Sequence, residues 1–377
     1  MIVWETIFWL CVALLVYAQV GYPLLLAALA RMRRQRAPAP APEALPTVSL
    51  IVAAYDEGAV IARKVANALA LDYPRERLEV VVASDGSSDG TVLEARRAGA
   101  DHVLDLERGG KIRAQDAAVA RSRADVVAFS DANSMWEGDA LRELVGAFAD
   151  EKVGYACGHV TFVSGSVGGT NQEGLYWRYE MALRSLESRL ASVTAGNGAI
   201  YATRREAYIE VDPIMGHDLS FPFNMVKRGW RAVYVPSARA TEKMVPSIEG
   251  EFQRKRRMMS HAWPIVLRGG LLSPRGYPPL YALMIASHRV LRYAAPFLHV
   301  GALVASFVLG ASSAFYAVAL ALQLALVLAA MLGRIVPLRP LLVIRYYVLT
   351  TASVAAGLWD WLRHGTPAGW EPAEGTR

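Results

Sequence analysis

The sequence predicts an α/β protein: a three-layer domain around a mostly parallel sheet, mounted on membrane helices at both ends of the chain. Two observations carry this. Between residues 47 and 131, four short β-rich runs alternate with helical stretches, a rhythm that needs crossover connections and gives a sheet covered on both faces. Outside that region lie apolar runs long enough to cross a bilayer, and 54% of the 377 residues are hydrophobic. A chain of this size holds one domain of about 200 residues plus a membrane region.

The net charge of +6 is modest, and the arginines stand beside apolar runs. Anionic lipid headgroups or phosphates fit that pattern as partners; no basic helix or stacking motif argues for nucleic acid. The two cysteines, Cys11 and Cys157, exclude a disulfide framework and a cysteine-based zinc site. A reducing cytosolic location for the polar domain agrees with this.

Residues 1–30 are apolar apart from Glu5, Thr6 and Gln19, enough for one transmembrane helix, with Gly21, Tyr22 and Pro23 as a kink. A cleaved signal peptide is the rival reading, but no basic leader precedes the run, which is also too long. Arg31, Arg33, Arg34 and Arg36 open a basic and Ala/Pro linker over residues 31–46; the positive-inside rule keeps that end in the cytoplasm. Its alternating alanines and prolines make a stiff spacer between membrane and domain.

The domain itself is expected over residues 47–245. A strand at 47–54 ends in Tyr55-Asp56-Glu57-Gly58 before a helix to about Leu71. A second, at 78–83, delivers Ser84-Asp85-Gly86-Ser87-Ser88-Asp89-Gly90-Thr91; glycines there permit a tight turn, and a carboxylate at a strand tip can accept hydrogen bonds from a ligand. A third, at 102–106, leads through Gly109-Gly110-Lys111 into a helix. The fourth, VVAFSDANS at 126–134, runs from buried apolar residues into Asp131 and Asn133, where ligands collect in such sheets.

Beyond a helix at 139–148 the rhythm changes. Residues 153–163 read as a strand with its own turn and 173–192 as an amphipathic helix whose Tyr176, Trp177, Tyr179, Met181 and Leu183 are packing positions rather than a sugar platform. Gly196-Asn197-Gly198 turns into another strand, Gly216-His217-Asp218 opens a helix, and 231–235 is one more strand. Asp218 at a helix start has a simpler reading as a cap. A basic amphipathic interface segment follows at 246–278, a membrane region with two or three helices at 279–363, and a polar tail at 364–377. The third apolar stretch, at 338–358, contains Arg345 and either spans or lies at the interface.

Four of these stretches fall in one order: residues 84–91, Asp131 to Asn133, His217-Asp218, and residues 253–257. In that order and spacing, with the membrane frame, the chain resembles the family 2 membrane glycosyltransferases, which include cellulose, chitin and hyaluronan synthases and many single-sugar bacterial enzymes. The resemblance covers nearly the whole chain. It implies a GT-A type nucleotide-sugar domain in which Asp85 contacts the base or ribose, Tyr55 and Glu57 stand beside it, Lys111 contacts the nucleotide, and Asp131 lies close to the nucleotide and its metal. Asp131 with Asn133 would hold a divalent cation, Mg²⁺ or Mn²⁺, although Asn133 stands where the family has a second carboxylate and brings no charge. Asp218 would be the general base on the acceptor hydroxyl. His217 replaces the family's glutamate before it, and a neutral neighbour should lower the base's proton affinity.

Gln253, Arg256 and Arg257 overlie the Gln-x-x-Arg-Trp signature that binds diphosphate and acceptor. Arg257 takes the place of the tryptophan on which an acceptor sugar stacks. The implied activity is inverting transfer from a nucleotide-sugar, a UDP-sugar by family habit, to a lipid-linked or polysaccharide acceptor, in the membrane lipids of a bacterial-type inner membrane with the catalytic domain cytosolic. A processive synthase with polymer extrusion is the alternative, and a silent nucleotide-sugar-binding protein a further one. A transporter would need paired intramembrane carboxylates, which are missing from the apolar runs.

Overall fold

The computed structural model describes residues 1–32, 45–163, 171–243 and 247–369. Arg33, Arg34 and Arg36, all but the last two residues of the Ala/Pro spacer, and the tail past Gly369 lie outside them. β1 (Val48–Ala54), β2 (Leu78–Asp85), β3 (His102–Leu106) and β4 (Val126–Asp131) are parallel to their neighbours in the order 3-2-1-4. Every residue of β1 is buried, which explains its continuous apolar run: helices cover both faces, so no face needs polar residues.

The sheet continues through four more strands, β5 (Met135–Trp136), β6 (Val153–Val163), β7 (Ile200–Arg204) and β8 (Arg231–Lys243), giving the order β3-β2-β1-β4-β7-β6-β8-β5. β7 runs antiparallel between β4 and β6, and β5 antiparallel beside β8. The sheet is therefore mixed but mostly parallel on its amino-terminal side. Successive residues face opposite layers. Leu50, Val126 and Ala128 join a core with Leu141 and Leu144, whereas Ile51, Val127 and Phe129 join one with Ala118, Phe221 and Met225.

Two strands differ from expectation. β6 is one strand without an internal turn; what the sequence signals there is a pair of register irregularities against β8, between Val153 and Tyr155 and between Cys157 and His159. β8 continues to Lys243 rather than ending at Val235. Pro236, which has no N–H for a ladder, sits in the irregular stretch between the pairs Cys157–Tyr234 and His159–Arg239 and hides the continuation.

Four helices among the described residues are long and apolar enough to cross a membrane: Ile2–Met32, Pro279–Leu309, Ala314–Leu332 and Arg339–His364. The first contains a π-helical turn over Tyr17–Gly21, ahead of Pro23, where the missing proline N–H relaxes the regular ladder. It does not stand away from the domain. The Tyr22 hydroxyl donates to Glu187 Oε1 at 2.6 Å and the Tyr179 hydroxyl to the Gln19 carbonyl at 2.9 Å, so the domain helix Asn171–Leu190 docks directly on it.

The helix Pro279–Leu309 begins well before the apolar stretch at Tyr293, and a π-turn at Ile285–Val290 aims His288 and Arg289 at the domain. His288 Nδ1 lies 2.6 Å from Glu187 Oε1, Arg289 Nε donates to the Thr194 hydroxyl at 2.9 Å, and Arg292 pairs with Glu180. The last helix, Arg339–His364, lies along the basic helix Ile248–Leu267: Arg345 pairs with Glu249, Lys255 donates to the Tyr346 hydroxyl at 2.7 Å, and Trp263 Nε1 to the Val354 carbonyl at 2.9 Å.

Candidate active site

The parallel register puts three strand ends on one rim. Ala54 is level with Ser84, and Ala53 with Asp131, so Tyr55, Asp85 and Asp131 emerge together. Asp131 meets Lys111, the first residue of the helix Lys111–Arg121, in an ion pair. The loop Gly196-Asn197-Gly198 closes the other side. Gly196 N–H donates to the Asp218 carbonyl at 2.6 Å, and a β-carbon on Gly198 would lie 3.4 Å from Lys111 Nζ and 4.0 Å from Asp131 Oδ2. Asn197 shapes this loop: its Oδ1 accepts from Ile200 N–H at 2.9 Å and its Nδ2 donates to the Gly158 carbonyl at 2.7 Å. A side chain at Gly196 would strike Tyr155 Oη, 1.8 Å from the β-carbon position, so only glycine brings the two halves this close.

Asp218 lies in the first turn of the helix His217–Lys227, half-buried, where the helix dipole favours its negative charge. Its carboxylate has no hydrogen-bond partner among the described residues, unlike a capping aspartate; a free carboxylate at a cleft suits proton abstraction. His217, expected beside the acceptor, turns the other way. Its ring is 3% exposed, stacks on Phe221 at 4.0 Å and meets Phe129, Tyr201 and Tyr208 edge-on, with Nδ1 2.8 Å from the Tyr201 hydroxyl. Burial first, and the Lys111 charge second, hold its pKa well below the ordinary imidazole range, so it is neutral.

Asp85 is likewise committed inside the protein. It is 1% exposed, and its carboxylate accepts from the Gly109 and Gly110 N–H groups at 2.7 and 2.9 Å. It positions the loop before Lys111 rather than opening toward a nucleoside. The Arg108 guanidinium covers the Tyr55 ring at 3.1 Å, and Glu57 is buried with its carbonyl starting the helix Ile61–Leu69. Gly110 has φ +99°, and a β-carbon there would lie 2.3 Å from the Ala368 carbonyl oxygen. Residues 366–369 form a strap across this loop, tied at Thr366, whose hydroxyl donates to the Ser260 carbonyl at 2.8 Å.

The basic helix divides its charges. Arg256, expected to clamp phosphate, makes a bidentate pair with Asp360 on the last helix at 2.6 Å. Gln253 and Arg257 are exposed and, with His261, share one helical face at i, i+4, i+8. His261 Nδ1 lies 3.2 Å from the Ile214 carbonyl, in the loop leading to Asp218. Burial lowers its pKa and the Arg257 charge lowers it further, while the Ile214 carbonyl and the Asp218 charge oppose.

Sequence reading missed several groups at the rim. Lys64 is fully buried and donates to the Ser134 carbonyl at 2.6 Å; burial pulls its ammonium down to about 7 against the charges of Asp131 and Glu242. The Glu242 carboxyl is pushed up to about 7 by burial and by the Asp131 charge, with Lys111, Arg254 and Lys64 opposing. The only local signal for Lys64 was a lysine on the apolar face of a helix; Glu242 gave none, because the second half of β8 was unread. No group of three or more His, Cys, Asp or Glu residues among those described is arranged to hold a metal. Asp131 with the half-buried Asn133 offers two hard oxygen donors, which fit Mg²⁺ or Mn²⁺, and the Ser134 hydroxyl and Glu242 Oε1 are buried without hydrogen-bond partners beside them.

Sheet order, strand-end rim and membrane helices together define a GT-A type domain carried on a membrane frame. The chain belongs to glycosyltransferase family 2: the family model described as "Glycosyltransferase like family 2" matches residues 46–260. A beta-monoglucosyldiacylglycerol synthase of Trichormus variabilis is 36% identical over 117 residues, covering 29% of this chain and 25% of its own length. An N-acetylglucosaminyltransferase of Rhizobium sp. is 26% identical over 230 residues, 56% of this chain and 51% of its own. The poly-beta-1,6-N-acetyl-D-glucosamine synthase of Staphylococcus aureus is 24% identical over 249 residues, 63% and 60%. The chain thus spans between a quarter and three fifths of the length of these relatives. Among solved structures, the mannosyltransferase PcManGT from Pyrobaculum calidifontis, in complex with GDP-Man and Mn²⁺, superposes with a TM-score of 0.73 at 24% identity, over 95% of this chain and 99% of that one. That likeness is one of fold.

Proposed function

We infer that the chain transfers a sugar, with inversion, from a nucleotide-sugar donor to a lipid-linked or polysaccharide acceptor. One observation carries this: the loop Gly196-Asn197-Gly198 joins the backbone of Asp218, whose carboxylate has no hydrogen-bond partner among the described residues, to the Lys111–Asp131 pair at the sheet rim. A base on one side and a charged phosphate-binding corner on the other are what a single in-line displacement at the anomeric carbon needs. With Asp218 as the base on the attacking acceptor hydroxyl, a single displacement gives inversion as the stereochemical outcome.

Lys111 would meet the diphosphate, leaving Asp131 to a cation held with Asn133. Bound there, the cation would supply charge for the departing nucleoside diphosphate. Arg257 and His261 lie on the acceptor side of Asp218. An exposed cation in place of a stacking ring favours one sugar on a phosphate-bearing lipid or a polysaccharide end over repeated addition. The beta-monoglucosyldiacylglycerol synthase among the relatives, named for a lipid product with one sugar, supports a lipid acceptor but not its phosphate. Arg31 in the last turn of the first helix and Arg33, Arg34 and Arg36 next in the sequence favour a cytosolic domain at a bacterial-type inner membrane, with the helix Ile248–Leu267 at the interface.

A donor screen tests the reading. Purified protein with several UDP- and GDP-sugars, with and without Mg²⁺ or Mn²⁺, should release nucleotide with one donor in a cation-dependent way. Release from none of them, with lipid and saccharide acceptors supplied, would refute it. Product length on a gel then separates single transfer from a polymer.

A further inference from the structure

Beside Asp131 lies a second carboxylate that the family pattern does not point to. β5 pairs with β8 through Met135–Thr241 and Trp136–Ala240, antiparallel. Continuing that ladder by one residue sets Ser134 opposite Glu242, so the turn from Asp131 to Ser134 runs alongside the end of β8. There Glu242 Oε1 and the Ser134 hydroxyl are both buried without hydrogen-bond partners among the described residues. Buried polar atoms are nearly always satisfied, and two orphaned oxygens side by side point to a ligand that accepts oxygen donors.

The charges argue for a cation. Glu242 feels the negative charge of Asp131 and the positive charges of Lys111, Arg254 and Lys64. Two carboxylates sharing a site are unfavourable unless a cation lies between them. Lys64 Nζ donates to the Ser134 carbonyl, and Lys111 is paired with Asp131. A diphosphate arriving at the rim would draw Lys111 toward itself and leave the two carboxylates less compensated, facing Lys64 and Arg254 alone among the cations that act on Glu242.

We propose that Glu242 supplies the second carboxylate of the divalent-cation site, providing from β8 the charge that Asn133 lacks two residues after Asp131. The donor set is then two carboxylates and an amide oxygen, hard ligands suited to Mg²⁺ or Mn²⁺, with the Ser134 hydroxyl beside them. The inference rests on the transferase reading only for the identity of the bound phosphate; the cation site is a property of the side chains.

Mn²⁺ titration of the full-length protein in detergent, alone and with UDP, followed by the loss of the free-ion paramagnetic resonance signal, tests it without any turnover. Glu242→Gln keeps shape and removes charge, and should weaken Mn²⁺ binding by roughly tenfold or more, as loss of a charged ligand does. Adding Asn133→Asp to Glu242→Gln should restore binding to within about threefold of wild type, because the charge returns from the neighbouring turn. A melting curve of each variant separates ligand loss from misfolding, and the rescue is readable even if the single variant is less stable. Unchanged Mn²⁺ binding in Glu242→Gln, with binding lost in Asp131→Asn, overturns the inference and leaves the transferase reading standing. Mn²⁺ binding that needs both carboxylates, with no nucleotide released from any donor, supports the inference and overturns the transferase reading instead.

Discussion

Two groups of buried charges differ in how far they are satisfied. At the junction with the membrane helices, both oxygens of Glu187 are bonded, Oε1 by Tyr22 and His288 and Oε2 by the Thr194 N–H and hydroxyl, and Arg289 closes on that hydroxyl; His288 Nε2 alone in this group lacks a hydrogen bond among the described residues and faces Glu180 Oε2 at 3.4 Å. At the rim, Asp218 has no partner among the described residues, and the Glu242 and Ser134 oxygens are orphaned. A closed network fixes one arrangement, whereas an open one leaves free energy to be gained when a ligand arrives. The junction is a clasp and the rim is a receptacle, so substitutions in the first should cost stability and in the second chemistry.

The largest effect is expected at the rim. Asp218→Asn should lower turnover by about 10²–10⁴-fold, the span of a lost general base, while nucleotide binding and melting temperature stay near wild type. Activity kept within a few-fold would place the base elsewhere. In the clasp, Glu187→Ala strands His288 and Arg289 and should cost about 3–5 kcal/mol, read as a large drop in melting temperature in detergent. Equal melting would mean that the membrane helices hold the domain without it.

A third test uses pH. The folded protein holds His217 neutral, with a pKa below its unfolded value, so the unfolded chain takes up a proton that the native one refuses. Stability from this residue is complete above about pH 6.5 and is lost as pH falls, by at most about 1.4 kcal/mol per pH unit. Melting of His217→Phe between pH 7.5 and 5.5 should fall less steeply than wild type; identical slopes would remove His217 from the buried cluster. The smallest effect belongs to Arg256→Gln. Its pair with Asp360 is part-exposed, worth no more than about 1 kcal/mol, and turnover should change by less than about threefold. A larger loss of turnover would return Arg256 to the diphosphate.

Much of the sheet was legible because burial on both faces writes itself as unbroken apolar runs, and β1 to β4 were read close to their ends. Asp131, Lys111 and Asp218 were legible as polar residues at strand and helix ends. What stayed hidden depends on distant partners. Nothing local to Arg256 announces Asp360, and the aromatic shell that turns His217 inward comes from three different parts of the chain: Phe129, Tyr201 with Tyr208, and Phe221. Glu242 was lost with the second half of β8, because Pro236 ends a strand pattern that the pairing with β6 resumes at Arg239. The clasp was hidden for a related reason: His288 and Arg289 read as punctuation between apolar stretches until a π-turn aims them at Glu187.

The strap over Gly110 gives the site a calendar. A ribosome makes Tyr55, Asp85 and Lys111 in the first third of the chain, but Ala368, which lies against Gly110, is roughly 260 residues downstream, on the order of ten to fifty seconds later at ordinary elongation rates. Three helices long and apolar enough to cross a membrane are made in that interval. The loop at Gly109 and Gly110 is thus made early and covered late, so a chain stalled or cut before its final helix lacks the residues that cross this loop.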